Sequence, residues 1–232
     1  MKKLNTEVNL KNIRLLILDL DGTLADTIGS IRDGVNLAMN KYGYPERSYE
    51  QVRAAIGNGA RELIRRSMPE KEAADNALVD RVFADYHALY GQTFLNCREC
   101  YEGIPEALQA LKANGFTLAV LSNKQDVYVR GLVKSLFPEG LISYAEGQTE
   151  KPKKPDPTVP LEIASMLGFA PSETAFLGDS EVDVQTGLNA GMLALGCAWG
   201  YRDPELLVKT GAHYLMEHPR EIAELFLNME EV

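Results

Sequence analysis

Two aspartates, Asp19 and Asp21, stand two residues apart after the apolar run Leu15-Leu16-Ile17-Leu18, with Leu20 between them. Gly22 follows and lets the backbone turn, and Thr23 adds a hydroxyl. An unbroken apolar run of this kind is the pattern of a strand covered on both faces, as in a parallel sheet. Carboxylates delivered to the end of such a strand are costly unless a cation or a reaction employs them. The pair therefore reads as catalytic carboxylates at a metal site. In an open α/β sheet the C-terminal edge of the strands is also where ligands bind.

Three more strand ends carry polar residues. Residues 116–121 run into Ser122-Asn123-Lys124, and residues 174–177 run into Gly178-Asp179-Ser180-Glu181-Val182-Asp183. A weaker strand at 141–145 leads to the basic loop Lys151-Pro152-Lys153-Lys154-Pro155. Parallel strands place all these ends along one edge, so the groups can meet in one crevice. Several carboxylates, a hydroxyl and a lysine suit Mg²⁺, which takes oxygen ligands and shares them with a substrate phosphate. No Cys or His joins the set, which argues against zinc.

The elements that must position these residues alternate along the chain. Strands are expected at 14–20, 116–121, 141–145, 174–177, 192–197 and 213–215. Helices are expected at 106–114, 125–135, 161–167, 184–190, 204–210 and 219–229. This alternation predicts an α/β fold with a doubly wound, mostly parallel sheet. Residues 1–12 read as a polar lead-in. Between the first and second strands the chain is helical throughout. Helices are expected at 30–42, from a capping box at Ser48 and Gln51 to about Gly57, at 60–68, and as one long element from Pro69 to about Gly91. The reading is a core of residues 1–27 and 100–232 with an all-helical insert at 28–99, the size of a small four-helix bundle.

The bulk properties set limits on partners. The chain has 232 residues, 45% hydrophobic and 25% charged, enough to bury a sizeable core. Its net charge of −9, from 24 Lys+Arg against 33 Asp+Glu, argues against non-specific binding of nucleic acid. No apolar h-region follows Lys2 and Lys3, and no apolar run approaches the roughly 20 residues that cross a bilayer. Three cysteines give no closed disulfide framework, so a cytoplasmic protein without membrane partners is expected, as a monomer or a homodimer.

Together the four motifs closely resemble those of the haloacid dehalogenase-like hydrolase superfamily. They are Asp19-Leu20-Asp21-Gly22-Thr23 with Asp26, Ser122-Asn123, Lys154-Pro155-Asp156-Pro157, and Gly178-Asp179-Ser180 with Asp183. They occur in the family's order, and the resemblance covers nearly the whole chain. It implies a Rossmann-like core under a small helical cap. It implies Mg²⁺-dependent hydrolysis of a small phosphorylated metabolite through an aspartyl-phosphate. By resemblance Asp19 is the nucleophile, Asp21 the general acid and base, and Lys154 the cation that serves phosphate and Asp19. Gly22 and Thr23 would offer backbone N–H groups to phosphoryl oxygens, together with Ser122 and the Asn123 backbone. The Asp19 side chain, the Asp21 carbonyl and Asp179 would hold the metal, with Asp183 acting through a neighbour or a water. Within the basic loop Lys151 is the alternative to Lys154.

The insert resembles the cap of phosphoglycolate phosphatases at Ile56-Gly57-Asn58-Gly59-Ala60 with Leu63 and Arg66. Trp199-Gly200-Tyr201-Arg202 and Gly211-Ala212-His213-Tyr214 add to that likeness. The resemblance makes 2-phosphoglycolate the first candidate substrate, with the hinges of the lid at 26–28 and about 96–102. A β-phosphoglucomutase-like phosphomutase and an inorganic pyrophosphatase are alternatives on the same pattern, and a catalytically silent binding protein is a third reading. Of Arg61, Arg65 and Arg66, at most one is expected to face a substrate. His87 and Trp199 read as packing residues, and Cys97-Arg98-Glu99-Cys100 has redox or zinc spacing without a second ligand pair.

Overall fold

The computed structural model describes residues 1–4, 10–96 and 99–227. Cys97 lies outside the described residues, so the spacing it shares with Cys100 has no structural counterpart here. The main sheet has seven strands: β1 (Lys2–Lys3), β2 (Leu15–Leu18), β5 (Thr117–Gln125), β6 (Tyr144–Gln148), β7 (Thr174–Gly178), β8 (Leu193–Cys197) and β9 (Tyr214–Met216). Their order is β1-β9-β8-β7-β2-β5-β6, and every pairing is parallel except β1 with β9. β2 is central, with all four residues buried. Burying each of its leucines contributes about 2 kcal/mol. Its neighbours arise in opposite directions along the sheet: the chain builds β5 and β6 on one side, then crosses to build β7, β8 and β9 on the other. That reversal is the switch point where open α/β sheets bind ligands.

Helices α6 (Ile104–Ala113), α7 (Asp126–Leu136), α8 (Thr158–Met166), α9 (Glu181–Asn189), α10 (Pro204–Thr210) and α11 (Glu221–Leu227) alternate with the strands. One apolar cluster joins Leu16, Leu18 and Leu118 to Leu108, Leu111 and Phe226, and another joins Leu15, Ile17 and Phe176 to Ile163. Successive residues of β2 thus feed opposite faces, as the period of two requires.

The insert holds α1 (Ile28–Lys41), α2 (Tyr49–Ala55), α3 (Ala60–Ser67), α4 (Glu70–Ala73) and α5 (Asn76–Thr93). It has its own apolar cluster, centred on Val35, Met39, Ile64, Val82, Tyr86 and Tyr90, which Tyr128 and Tyr201 join from the sheet side. Ser48 forms the expected capping box with Gln51. The long helix expected from Pro69 is two helices instead. Asp75 accepts from the Ala77 and Leu78 N–H groups and so starts α5 afresh, a cap that outweighs continuous apolar periodicity.

Two short strands, β3 (Ala25–Asp26) and β4 (Glu99–Cys100), pair antiparallel where the insert leaves and rejoins the sheet. β6 begins later than expected: Leu141 is buried but belongs to a turn, its N–H donating to Pro138 O. The lead-in is not wholly unstructured either. Lys2 and Lys3 pair with Leu215 and Tyr214, because an open edge strand offers backbone groups to any extended segment whatever its side chains. Among the described residues no helix is long and apolar enough to cross a membrane.

Candidate active site

The register of the sheet brings the strand ends together. β2 pairs with β5 and β7 so that Leu18 lies beside Val120 and Leu177. Asp19 therefore emerges between the segment carrying Ser122 and that carrying Asp179. Asp19, Ser122, Asn123, Lys154, Asp179 and Asp183 are all buried, and all border one cavity. The insert closes that cavity from above with Ile56, Gly57 and Leu63, leaving about 70 Å³ open to the centres of water-sized molecules.

Lys154 is the hub of the charged cluster. Its Nζ lies 2.8 Å from Asp19 Oδ1 and 2.6 Å from Asp183 Oδ1, and it donates to Leu121 O at 3.1 Å. Lys151, the alternative, turns outward to Glu146 and Glu162. Burial works against the charge of Lys154, but Asp183 and Asp19 outweigh it and hold the ammonium above the usual lysine range. Asn123 fixes the lysine by its backbone: its Oδ1 accepts from Lys154 N and its Nδ2 donates to Lys154 O. Asp183 is held in turn by Ser180, whose N–H and hydroxyl both donate to Oδ2.

Carboxylate oxygens of Asp19, Asp179 and Asp183 come within 4.8 Å of one another. Three buried acids around one lysine leave negative charge without an equal partner. Burial, then Asp183, push Asp19 up to about 6 against the pull of Lys154. Burial, then Asp183 and Asp19, push Asp179 up to about 8, although Tyr201 N–H and the Thr23 hydroxyl favour its carboxylate. A set of crowded oxygens with no sulfur or imidazole fits a hard divalent cation.

Close backbone approach makes the crowding possible. Gly22 has φ +85°, and a Cβ there would lie 2.5 Å from Asp179 Oδ2. At Gly178 a Cβ would lie 2.2 Å from Asp183 Cβ.

The turn after Asp21 departs from expectation. Gly22 N–H donates to Ala25 O and Thr23 N–H to Leu20 O, and neither residue borders the cavity. The tight turn that redirects the chain consumes the donors expected to face phosphate. Thr23 instead sends its hydroxyl to Asp179 Oδ1 and its carbonyl to Trp199 Nε1, which makes Trp199 a packing residue of this turn.

Several residues of the site carried no local signal. Lys124 grips Asp21 with Nζ at 3.0 and 3.1 Å from its two oxygens. Its only sequence signal was its place at a strand end. The Thr27 hydroxyl also donates to Asp21 Oδ1. Tyr201 donates its N–H to Asp179 at 2.7 Å, while its hydroxyl donates to Asp26 and accepts from the N–H groups of Thr27 and Ile28. A tyrosine oxygen thus satisfies the first N–H groups of α1 where a side-chain cap is usual. Asp26 is thereby a structural residue of the hinge.

The arginines expected to face a substrate point elsewhere: Arg61 pairs with Asp80, Arg65 with Glu62 and Asn76, and Arg66 with Glu62. Arg53 and Arg202 border the cavity in their place. His87 packs against Tyr128, its Nδ1 lying 2.6 Å from the Tyr128 hydroxyl.

With this geometry in view, comparison with known proteins is decisive. A family model described as haloacid dehalogenase-like hydrolase matches residues 16–197. The chain belongs to the haloacid dehalogenase-like hydrolase family. Among its relatives, it is 33% identical over 195 residues to the phosphoglycolate phosphatase of Thiobacillus denitrificans, covering 82% of this chain and 85% of that one. It is 30% identical over 220 residues to phosphoglycolate phosphatase 1 of Pseudomonas aeruginosa, covering 90% of this chain and 78% of that one. A crystal structure described as a predicted phosphoglycolate phosphatase from Haemophilus somnus superposes with a TM-score of 0.85 at 26% identity, over 94% of this chain and 99% of that one. The haloacid dehalogenase-like cluster of acids and lysine lies within the matched span, from Asp19 to Asp183.

Proposed function

We propose that this haloacid dehalogenase-like hydrolase is a Mg²⁺-dependent phosphatase of a small phosphorylated metabolite, with 2-phosphoglycolate as first candidate. One observation carries the reading: the buried Asp19–Lys154–Asp183–Asp179 cluster at the sheet's switch point, closed over by helices. The curated relatives described above act as phosphoglycolate phosphatases, and they supply the candidate substrate.

Asp19 attacks phosphorus with a carboxylate oxygen, forming the aspartyl-phosphate as the bond from phosphorus to the substrate oxygen breaks. Asp21 gives its proton to that departing oxygen. It then takes a proton from a water that attacks the phosphorylated Asp19, releasing inorganic phosphate and restoring the carboxylate. Lys154 sets positive charge beside Asp19 throughout, and Ser122 donates to a phosphoryl oxygen. Asp19, Asp179 and the Asp21 carbonyl would hold the Mg²⁺, which supplies charge neutralisation to the phosphoryl group and to the crowded acids. Residues 28–99 act as the lid on a core of residues 1–27 and 100–232, excluding bulk water while phosphorus is attacked. The small closed space suits a compact substrate and disfavours polymers.

A phosphate-release screen over a panel of phosphorylated metabolites, with and without EDTA, tests the reading. Turnover is expected to be fastest with compact acidic monophosphates and to vanish with chelator. Absence of phosphate release across the panel would restore the silent binding protein, and isomerised sugar phosphate without free phosphate would establish a phosphomutase.

A further inference from the structure

Lys124 is a buried cation placed between the two parts of the molecule. Its side chain is 7% exposed and that of its partner Asp21 is 11% exposed. It is carried by the far end of β5, which runs on beyond its register with β2 and out toward the insert. Both Asp21 oxygens lie within 3.1 Å of its ammonium. The same ammonium sits 4.9 Å from the ring centroid of Tyr90, on α5 of the insert. A buried ammonium over an aromatic face gains about 2 kcal/mol. Lys124 therefore has one partner on the sheet and one on the helices.

Neither partner has freedom to follow it. Tyr90 is 1% exposed, stacked on Tyr86 at 5.4 Å and set edge-on to Tyr128 at 4.9 Å. Gly34 of α1 lets the ring lie close, since a Cβ there would stand 2.8 Å from Tyr90 Cδ2. The ring moves only if the insert moves. Asp21 is held from its other side by Thr27, the residue at the hinge of α1. If the insert lifts, the ring leaves the ammonium, water reaches it, and the hinge grip shifts as well.

We propose that Lys124 is a positioning residue for Asp21: it holds that carboxylate in its working place and, through the Tyr90 ring, makes the placement depend on the insert being closed. This rests on the reading of Asp21 as the proton donor and acceptor. Its consequence is order in time, because Asp21 is aligned only when the lid has excluded bulk water. Arginine at this position would keep both the carboxylate contact and the ring contact; methionine would keep neither charge nor grip.

The test compares Lys124→Met, Lys124→Arg, Tyr90→Leu and Asp21→Asn in the full chain with Mg²⁺. The substrates are alkyl monophosphates, whose leaving oxygen needs a proton, and p-nitrophenyl phosphate, whose leaving group does not; the first release of product is followed by rapid mixing. Lys124→Met is expected to slow that first phase about tenfold to a hundredfold on alkyl phosphates and less than about threefold on p-nitrophenyl phosphate. Lys124→Arg should restore most of the loss. Tyr90→Leu should lower kcat several-fold with KM little changed. Equal losses on both substrate classes, no rescue by arginine, or wild-type kcat in Tyr90→Leu would each overturn the proposal. Asp21→Asn separates the two layers: if it too shows no dependence on the leaving group, the reading of Asp21 has failed; if it does and Lys124→Met does not, only the role of Lys124 has.

Discussion

Two lysines grip the two aspartates of the first strand end, and they are built differently. Lys154 finds Asp19, Asp183 and Leu121 O, all on the α/β core, and is wedged between acids that strands and a helix start hold in place. Lys124 finds Asp21 on the core and Tyr90 on the insert. The first pairing persists whatever the insert does; the second exists only when the two parts lie together. The contrast extends to the lid loop. Three successive carbonyls, Ile56, Gly57 and Asn58, accept from Arg202, Asn123 and Lys153 of three separate core segments. The sheet edge is rigid because its strands are buried in common. The lid is held by a few hydrogen bonds, each with a net contribution near 1 kcal/mol, and such contacts can open and close.

The largest effect should come from the rigid side. Asp19→Asn is expected to reduce steady-state phosphate release by at least about 10³-fold, and near-wild-type turnover would refute the nucleophile assignment. Next, the two lysines of the basic loop can be set against each other. Lys154→Met should cost about a hundredfold or more in kcat, whereas Lys151→Met, on an exposed ion pair, should stay within about twofold. A similar loss in both would erase the distinction that the geometry draws.

The charge crowding predicts a pH-dependent stability in metal-free protein. Asp19 at about 6 and Asp179 at about 8 lie above their unfolded value near 3.8, so the folded chain retains protons that the unfolded chain has released. Stability must therefore fall as pH rises from about 4 through about 8, and a cation that replaces those protons should restore it. Added Mg²⁺ should raise Tm by at least about 3 °C more at pH 8 than at about pH 5.5. A Mg²⁺ effect independent of pH would break the link between the acids and the ion. The smallest effect belongs to the lid. Lys153→Ala combined with Arg202→Ala should raise KM about threefold to tenfold with Tm nearly unchanged, because only loop contacts are lost. A large fall in Tm would show that these bonds support the fold rather than closure.

How much of the site was legible follows from the same contrast. Asp19, Ser122, Lys154 and Asp179 could be expected at one edge because each ends or follows an apolar stretch, and parallel strands leave no other edge for them. The helical insert was legible because 3.6-residue periodicity persisted with no strand pattern between. Its break at Asp75 was missed because one capping side chain overrode that periodicity. The N–H groups of Gly22 and Thr23 were misassigned because the turn's own carbonyls claim them, a matter of backbone geometry that residue types do not reveal. Arg53, Arg202 and Tyr201 were not singled out as site residues because their roles depend on contacts between segments far apart in the chain.

By itself, the sequence determined the order of strands and helices, the burial of β2, and the kind of chemistry its strand ends can support. These follow from local patterning, because an apolar run must be covered and a carboxylate at its end must be compensated. The tertiary structure decided which lysine meets which aspartate, which N–H groups a turn consumes, and which side chains of the insert reach the cavity. Those outcomes depend on a few ångströms of approach between elements as many as 175 residues apart, as when the Tyr201 hydroxyl meets Asp26. Pairing at that range is set by the packing of the whole, which no local pattern contains.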